Sequence, residues 1–396
     1  LTVEKTTDNV FNMKYVDDNL IYVTLAGSQA YGLSNELSDT DVKGICIPPP
    51  DVEYNLFHKF EQAENLKSIE NSLSHLKNPK NPKFESTVYS LKKFFLLASD
   101  VNPNIIELLY TNPKHHFVKY PIMEEILDNR HIFLSMRARH TFSGYAMSQA
   151  KKIERHRKWI LKGNVKEPTR EEFGLLPEPS IEISQILSYI KGKVEQWNLT
   201  QYPLDEYQRL EIKNIIWEII YNTCGKDVSI SNWPDEYWKS VLHKMANELN
   251  LKEEVLIYIN AEREYYKAKQ LYNSWVSWNK ERNPQRKELE IKFGYDLKHA
   301  SHLIRLMRMG YEIISTGKVI VDRTNYDADE LLQIKNGYWT YDKVLEFKDE
   351  MESKLNDEYK KYELLVANNQ PTPIPMSVNK TKINEFYHKL YNSYWN

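Results

Sequence analysis

Asp39 and Asp41 flank Thr40, and two carboxylates at alternate positions are a metal-binding pattern if the segment is a strand. Side chains two apart on a strand face the same side, so both carboxylates would converge on one point. Mg²⁺ or Mn²⁺, hard and oxygen-preferring, is the natural occupant, with substrate phosphate completing its shell. Two such ions about 3.5–4 Å apart would clamp the attacking and leaving oxygens of an in-line displacement. Eleven residues before Asp39 lies Gly27-Ser28. A glycine lets backbone approach a phosphate, a following helical turn directs N–H groups at it, and the Ser28 hydroxyl adds a donor. Phosphate donors, divalent cations and a group that positions an attacking hydroxyl are what transfer from a nucleoside triphosphate requires. A third carboxylate normally joins such a pair. Glu85 is the candidate, with Glu61, Glu64 and Glu70 as rivals.

The elements that must hold these residues can be read from periodicity. Ile21-Tyr22-Val23-Thr24-Leu25 is a β-branched and aromatic run ending in Ala26-Gly27-Ser28, a buried strand leading into a tight turn. A polar loop over 34–40 leads to a second strand, Asp41 to Ile47, stopped by Pro48-Pro49-Pro50. Residues 65–83 are polar and read as a surface excursion. Glu85 to Tyr89 alternates Glu, Thr, Tyr on one side with Ser and Val on the other, a third strand. Leu91, Phe94, Phe95 and Ala98 then predict a helix over 90–99, and Asn102-Pro103-Asn104 starts another. Apolar spacing is helical throughout 132–161, the prolines and glycines of 163–180 read as a linker, and helical patterns dominate beyond it. The expectation is an α+β chain. Residues 1–130 form a small catalytic sheet domain, and 131–396 a mainly helical domain carrying basic helices for phosphate and acceptor.

Gly27-Ser-Gln-Ala-Tyr-Gly-Leu33 followed by Ser38-Asp-Thr-Asp-Val-Lys-Gly-Ile45 resembles the DNA polymerase beta-type nucleotidyltransferase superfamily, whose mark is Gly-Ser followed by paired acids on the next strand. Within it, the segment is similar to the nucleotidyltransferases grouped as the RNA-ligase-associated protein (RlaP) family. Tyr89-Ser-Leu-Lys-Lys-Phe94, Asn102-Pro-Asn104 with Glu107-Leu-Leu109, and Gly294-Tyr-Asp-Leu-Lys-His-Ala-Ser-His-Leu-Ile-Arg305 extend the likeness. Recognisable stretches are 20–110, 137–157 and 292–318, whereas 165–290 matches nothing. The resemblance implies catalytic roles for Ser28, Asp39 and Asp41, and a third acid at or near Glu85, where the family usually shows Asp. It also associates the chain with RNA repair.

Two helical patterns carry basic residues. Lys151, Arg155 and Lys158 fall at i, i+4 and i+7 on one face, as suits an acceptor's phosphate backbone, although a solvated face gives the same pattern. Ten Lys and Arg stand against two acids between Arg137 and Arg170. Lys298, His302 and Arg305 share that spacing and read as closing over the triphosphate, Lys298 as a point charge and Arg305 as a fork. A core helix with Leu303, Ile304 and Met307 inward would look the same. His299 and His302, three apart without a third soft ligand, read as phosphate donors rather than metal ligands.

The whole-chain balance is neutral: net charge is −2 over 396 residues, giving no general affinity for nucleic acid. Only Cys46 and Cys224 occur, which excludes a disulfide framework or zinc ribbon and suits a reducing cytosol. The polar, mixed-charge segment from Leu1 to Asp18 is not a signal peptide, and no apolar run reaches a membrane span. The first residue is Leu, so the numbering is expected to start inside a processed or tagged chain. The expected function is metal-dependent transfer of a nucleoside monophosphate from an NTP, ATP among them, to a hydroxyl in the cytoplasm. An RNA end is the leading acceptor. A protein side chain or small molecule, a phosphodiester hydrolase, and a silent nucleic-acid-binding module are the alternatives. Oligomeric state is beyond the sequence.

Overall fold

Leu20–Leu25 (β1) is buried along nearly its whole length, as a run of β-branched and aromatic residues must be at the centre of a sheet covered on both faces. Thr40–Cys46 (β2) pairs with it antiparallel. Gln62–Glu64 (β3), Phe84–Ser90 (β4) and His116–Lys119 (β5) complete a five-stranded sheet among the described residues, in the order β3-β4-β2-β1-β5. The β2–β4 pairing is parallel and the other three are antiparallel. This is a computed structural model. It describes residues 14–163, 165–177, 181–225, 233–282 and 284–396, so most of the polar N-terminal segment 1–18 lies outside the described residues.

The α+β class holds: a mixed sheet in the N-terminal region and helices elsewhere. Three strands coincide with the pattern reading. β3 and β5 have three and four residues, too short for period two to register. The stretch expected as a surface excursion contains a helix, Lys67–Ser72, held by buried Ile69. The helical spacing over 132–161 is interrupted. A single tight turn at Arg130–Phe133 is followed by non-helical residues, and the helix proper is Ala138–Lys162. Ser90 and Asn102 cap the helices Leu91–Ser99 and Pro103–Leu109 by accepting from backbone N–H groups of the first turn.

The chain does not divide at residue 130. Residues 1–160 and 288–396 form one compact unit and 161–287 another. The reason is visible in the first unit's core. Ile21, Tyr22 and Ile45 of the sheet share a cluster with Leu91, Phe94, Ile106 and Phe142, and with Leu303, Ile304 and Met307 of the helix Leu297–Thr316. Val23, Leu25, Val42, Cys46 and Val88 form a smaller cluster with Ile69. In the second unit, Ile181–Gln196, Glu206–Gly225, Asp235–Leu249 and Glu253–Glu281 surround Ile190, Ile220, Trp238 and Ile259. Arg170 and Glu262 make a buried ion pair there. That unit is the stretch with no recognisable motif. No helix among the described residues is long and apolar enough to cross a membrane.

If helix 297–316 belongs to the sheet's core, damage to it must loosen the sheet. Leu303 is fully buried, so Leu303→Ala should cost about 2–5 kcal/mol. In a Cys224→Ser background, thiol labelling of buried Cys46 in β2 should then accelerate by roughly 30-fold or more. An unchanged labelling rate would show that sheet and helix open independently.

Candidate active site

Asp41 and Glu85 are direct register partners across the parallel β2–β4 ladder. Neighbouring residues in a parallel pair project from the same face, and period two adds Lys43 and Thr87 to it. Along β2, Thr40 and Val42 are buried while Asp41 and Lys43 are half-buried, the alternation expected where one sheet face opens to solvent. Two residues further on, Ile45 of that same face is already in the core. The carboxylates therefore sit where the covered face of the sheet ends.

Asp41 sits under both burial and like charge. Its pKa is raised by burial first and then by Glu85 and Asp39, while Lys298 and Lys43 pull it down. Burial lowers the Lys43 ammonium against the opposing pull of Asp41, Glu64 and Glu85, and its Nζ donates to Thr87 Oγ1 at 3.0 Å. Lys83 lies between the outer two acids, 2.7 Å from Glu85 Oε1 and 3.3 Å from Asp39 Oδ2. Asn81 Nδ2 donates to Asp39 Oδ1 at 2.6 Å. An ammonium bridging two carboxylates occupies a place where a hard cation with oxygen ligands fits. Among the rivals for the third acid, Glu70 pairs with Lys77, and Glu61 with Lys59 and Lys93. Glu64 shares the face through its pairing with Thr87, but one strand further out.

The Gly-Ser turn is built against Asp41. Gly27 begins a single helical turn, Gly27–Ala30, with φ of +61°, and a Cβ there would lie 2.1 Å from Asp41 Oδ2. Only glycine meets both demands. Ala26 N–H donates to the Asp41 carbonyl at 2.8 Å, and Gln29 Nε2 to Thr40 Oγ1 at 3.3 Å, so Ser28 and Asp41 are held by one local network. Gly32, at φ +72°, packs where a Cβ would lie 2.3 Å from Thr324 Oγ1. Arg323 N–H donates to the Tyr31 carbonyl and Lys335 Nζ to that of Leu33, both at 3.0 Å, so residues 323–335 clamp the turn from behind.

The expected phosphate-binding helix is only partly placed as anticipated. Lys298 is exposed and close enough to Asp41 to shift its titration. His302 is half-buried, and burial, Arg305, His299, Lys298 and Lys152 push its pKa well below the ordinary range. It is a neutral imidazole at pH 7, not a cationic donor. Arg305 corrects the reading more sharply. It is 1% exposed, donates from Nη1 to Glu107 Oε1 at 2.6 Å, and stacks 3.6 Å from the centre of the Tyr31 ring. Tyr31 in turn donates to Glu107 Oε2 at 2.5 Å. Rather than reaching a triphosphate, Arg305 lies in the core and positions the residue three after Ser28. Glu107, Tyr31 and Lys83 were not singled out from sequence. Glu107 carried a signal, an acid at a core position of its helix, which only a partner could explain.

On the helix 138–162, Lys151, Arg155 and Lys158 are all exposed while Ile153 and Trp159 are buried. Lys158 is paired with Glu154 at 2.7 Å and Arg155 stacks on Trp159.

The sheet thus brings Asp41 and Glu85 to one face, with Asp39 at the strand entrance and the Gly27 turn beside them. Residues 3–165 match the RlaP family model, described as the RNA repair pathway DNA polymerase beta family. That match stops short of the helix Leu297–Thr316. A wider relative is the "Uncharacterized 38.9 kDa protein in nrdC-mobD intergenic region" of Enterobacteria phage T4. It is 25% identical over 329 residues, covering 81% of this chain and 84% of that protein. No solved structure gives a significant match.

Two outcomes follow from these contacts. Glu107→Gln leaves the buried Arg305 charge without its anion and should cost about 3–5 kcal/mol by urea denaturation, whereas Glu107→Leu with Arg305→Met should recover much of that loss. A double variant no better than the single would refute the buried-pair account. For Asp41 the raised folded pKa means that ionisation opposes folding, so its contribution declines as pH rises from 3.8 through the folded value. Asp41→Asn, in chelator, should therefore raise the melting temperature at pH 7 and lose that advantage below pH 3.8. A gain that persists unchanged at low pH would rule out charge crowding as its cause.

Proposed function

We propose that this chain moves a nucleoside monophosphate from an NTP to an acceptor hydroxyl, most readily an RNA end. One observation carries the reading: Asp41 stands in parallel register with Glu85, with Asp39 two residues earlier and Gly27 packed against the Asp41 carboxylate. Asp39, Asp41 and Glu85 are the residues that would hold Mg²⁺ or Mn²⁺, two ions being the expected number. Bound there, the ions would neutralise phosphate charge and polarise the attacking hydroxyl.

The protein's own groups do the rest. The Gly27 turn and the Ser28 hydroxyl would receive phosphate oxygens beside Asp41, whose carboxylate a side chain at residue 27 would strike. Lys298, exposed near Asp41, supplies a point charge to the phosphates. His302, neutral at pH 7, can donate a hydrogen bond without adding charge. Glu85, the most exposed of the three acids, is placed to orient the acceptor hydroxyl. Lys83 must release Asp39 and Glu85 for any cation to use both. The family's description as an RNA repair family and the exposed Lys151 and Arg155 favour RNA as acceptor.

Transfer of label from an α-labelled NTP to RNA tests the site. Asp39→Asn and Asp41→Asn should each reduce it more than about 100-fold, beyond what loss of an outer-shell partner costs. Glu85→Gln should retain NTP binding and depress turnover. Wild-type turnover in either Asp variant would remove the assignment. In a salt titration of RNA binding, Lys151→Ala with Arg155→Ala should lower the log–log slope by about one to two units, at roughly 0.7 per contact. Parallel lines would take the basic face out of the acceptor site.

A further inference from the structure

His299 and His302 look like a weak metal pair by spacing, and in the fold they are not the pair that matters. His299 meets His156 and Asp296 instead, from the helix 138–162 and from the residue that caps helix 297–316. The three ligand atoms lie within 4.8 Å of one another. Asp296 is fully buried, His156 is 6% exposed, and His299 is half-buried. Asp296 divides its carboxylate. Oδ1 accepts from the His299 backbone N–H at 3.0 Å as the helix cap, and Oδ2 faces both imidazoles, 2.7 Å from His156 Nδ1 and 3.7 Å from His299 Nε2. Trp159 stacks on His156, ring centres 5.3 Å apart, and fixes the plane of that ring.

We propose that His156, Asp296 and His299 bind a transition-metal dication, Zn²⁺ above all, outside the Asp39–Asp41–Glu85 centre. Two imidazoles, not one, converge on the same carboxylate oxygen. Two neutral imidazole nitrogens and one carboxylate oxygen are a donor set that suits zinc and not magnesium. Ligands about 2.0–2.1 Å from a tetrahedral ion stand about 3.3 Å from each other. The distances of 2.7 and 3.7 Å bracket that value, so small side-chain shifts would seat the ion. The fourth position would remain for water or an anion, and the ion would join helix 138–162 to the first turn of helix 297–316, next to Lys298.

The test uses the full chain, stripped with chelator and titrated with Zn²⁺ against a chromophoric competitor. One tight equivalent is expected in wild type and also in the Asp39→Asn/Asp41→Asn variant. His299→Ala should weaken that equivalent by at least about 100-fold. His299→Cys should retain it and, with Co²⁺ in place of Zn²⁺, add a thiolate-to-metal charge-transfer band in the near ultraviolet. That second variant keeps the test decisive if His299→Ala does not fold. The site is overturned if no tight equivalent binds, if the equivalent survives His299→Ala, if it disappears with the Asp39/Asp41 change, or if the Co²⁺-loaded cysteine variant lacks the band.

Discussion

The parallel pairing of β2 with β4 is the constraint from which the rest follows. It sets Asp41 beside Glu85 and leaves Asp39 at the entrance to the strand, so three carboxylates share one face. Such an arrangement opposes folding in the absence of cations: burial first, and then Glu85 and Asp39, push the pKa of Asp41 up. The chain relieves it locally with Lys83 and Lys43, whose ammonium groups lie among these acids, and with Asn81 on Asp39. Local strain of this kind, retained where neutral residues would fold more easily, is the expected signature of a site built for charge that arrives with the substrate.

Holding the Gly-Ser turn against those acids takes a second set of contacts drawn from distant parts of the sequence. Half-buried Tyr31 joins the buried Glu107–Arg305 pair, and the 323–335 segment grips the carbonyls of Tyr31 and Leu33. A buried ion pair adds little net stability but is costly to break singly, so it resists alternative placements of the turn. The C-terminal helices are therefore part of the unit that holds the Gly-Ser turn, which is why 288–396 belongs with 1–160.

What could be read from the sequence divides along physical lines. Strands with β-branched runs and alternation, β1, β2 and β4, stand out because their pattern is local, and so do Gly27, Asp39 and Asp41. Glu85 could be nominated by alternation, but only strand register places it beside Asp41. Arg305 shows the limit. Its spacing from Lys298 and His302 is that of a phosphate-binding face, and nothing local reveals Glu107, 198 positions away, as its partner. The same holds for His299, whose companions His156 and Asp296 come together only through helix packing. The boundary at residue 130 fails for the same reason: the strand pattern gives way to helical spacing, but the core runs on across it.

Nucleotidyl transfer at the carboxylate face, as proposed, is decided by following the α- and γ-phosphates of one NTP in parallel, with Mg²⁺ or Mn²⁺ and an RNA acceptor. The α label should become covalently attached to RNA while the γ label leaves as pyrophosphate. Transfer of the γ label to the acceptor, or release of both labels with nothing attached, would contradict it.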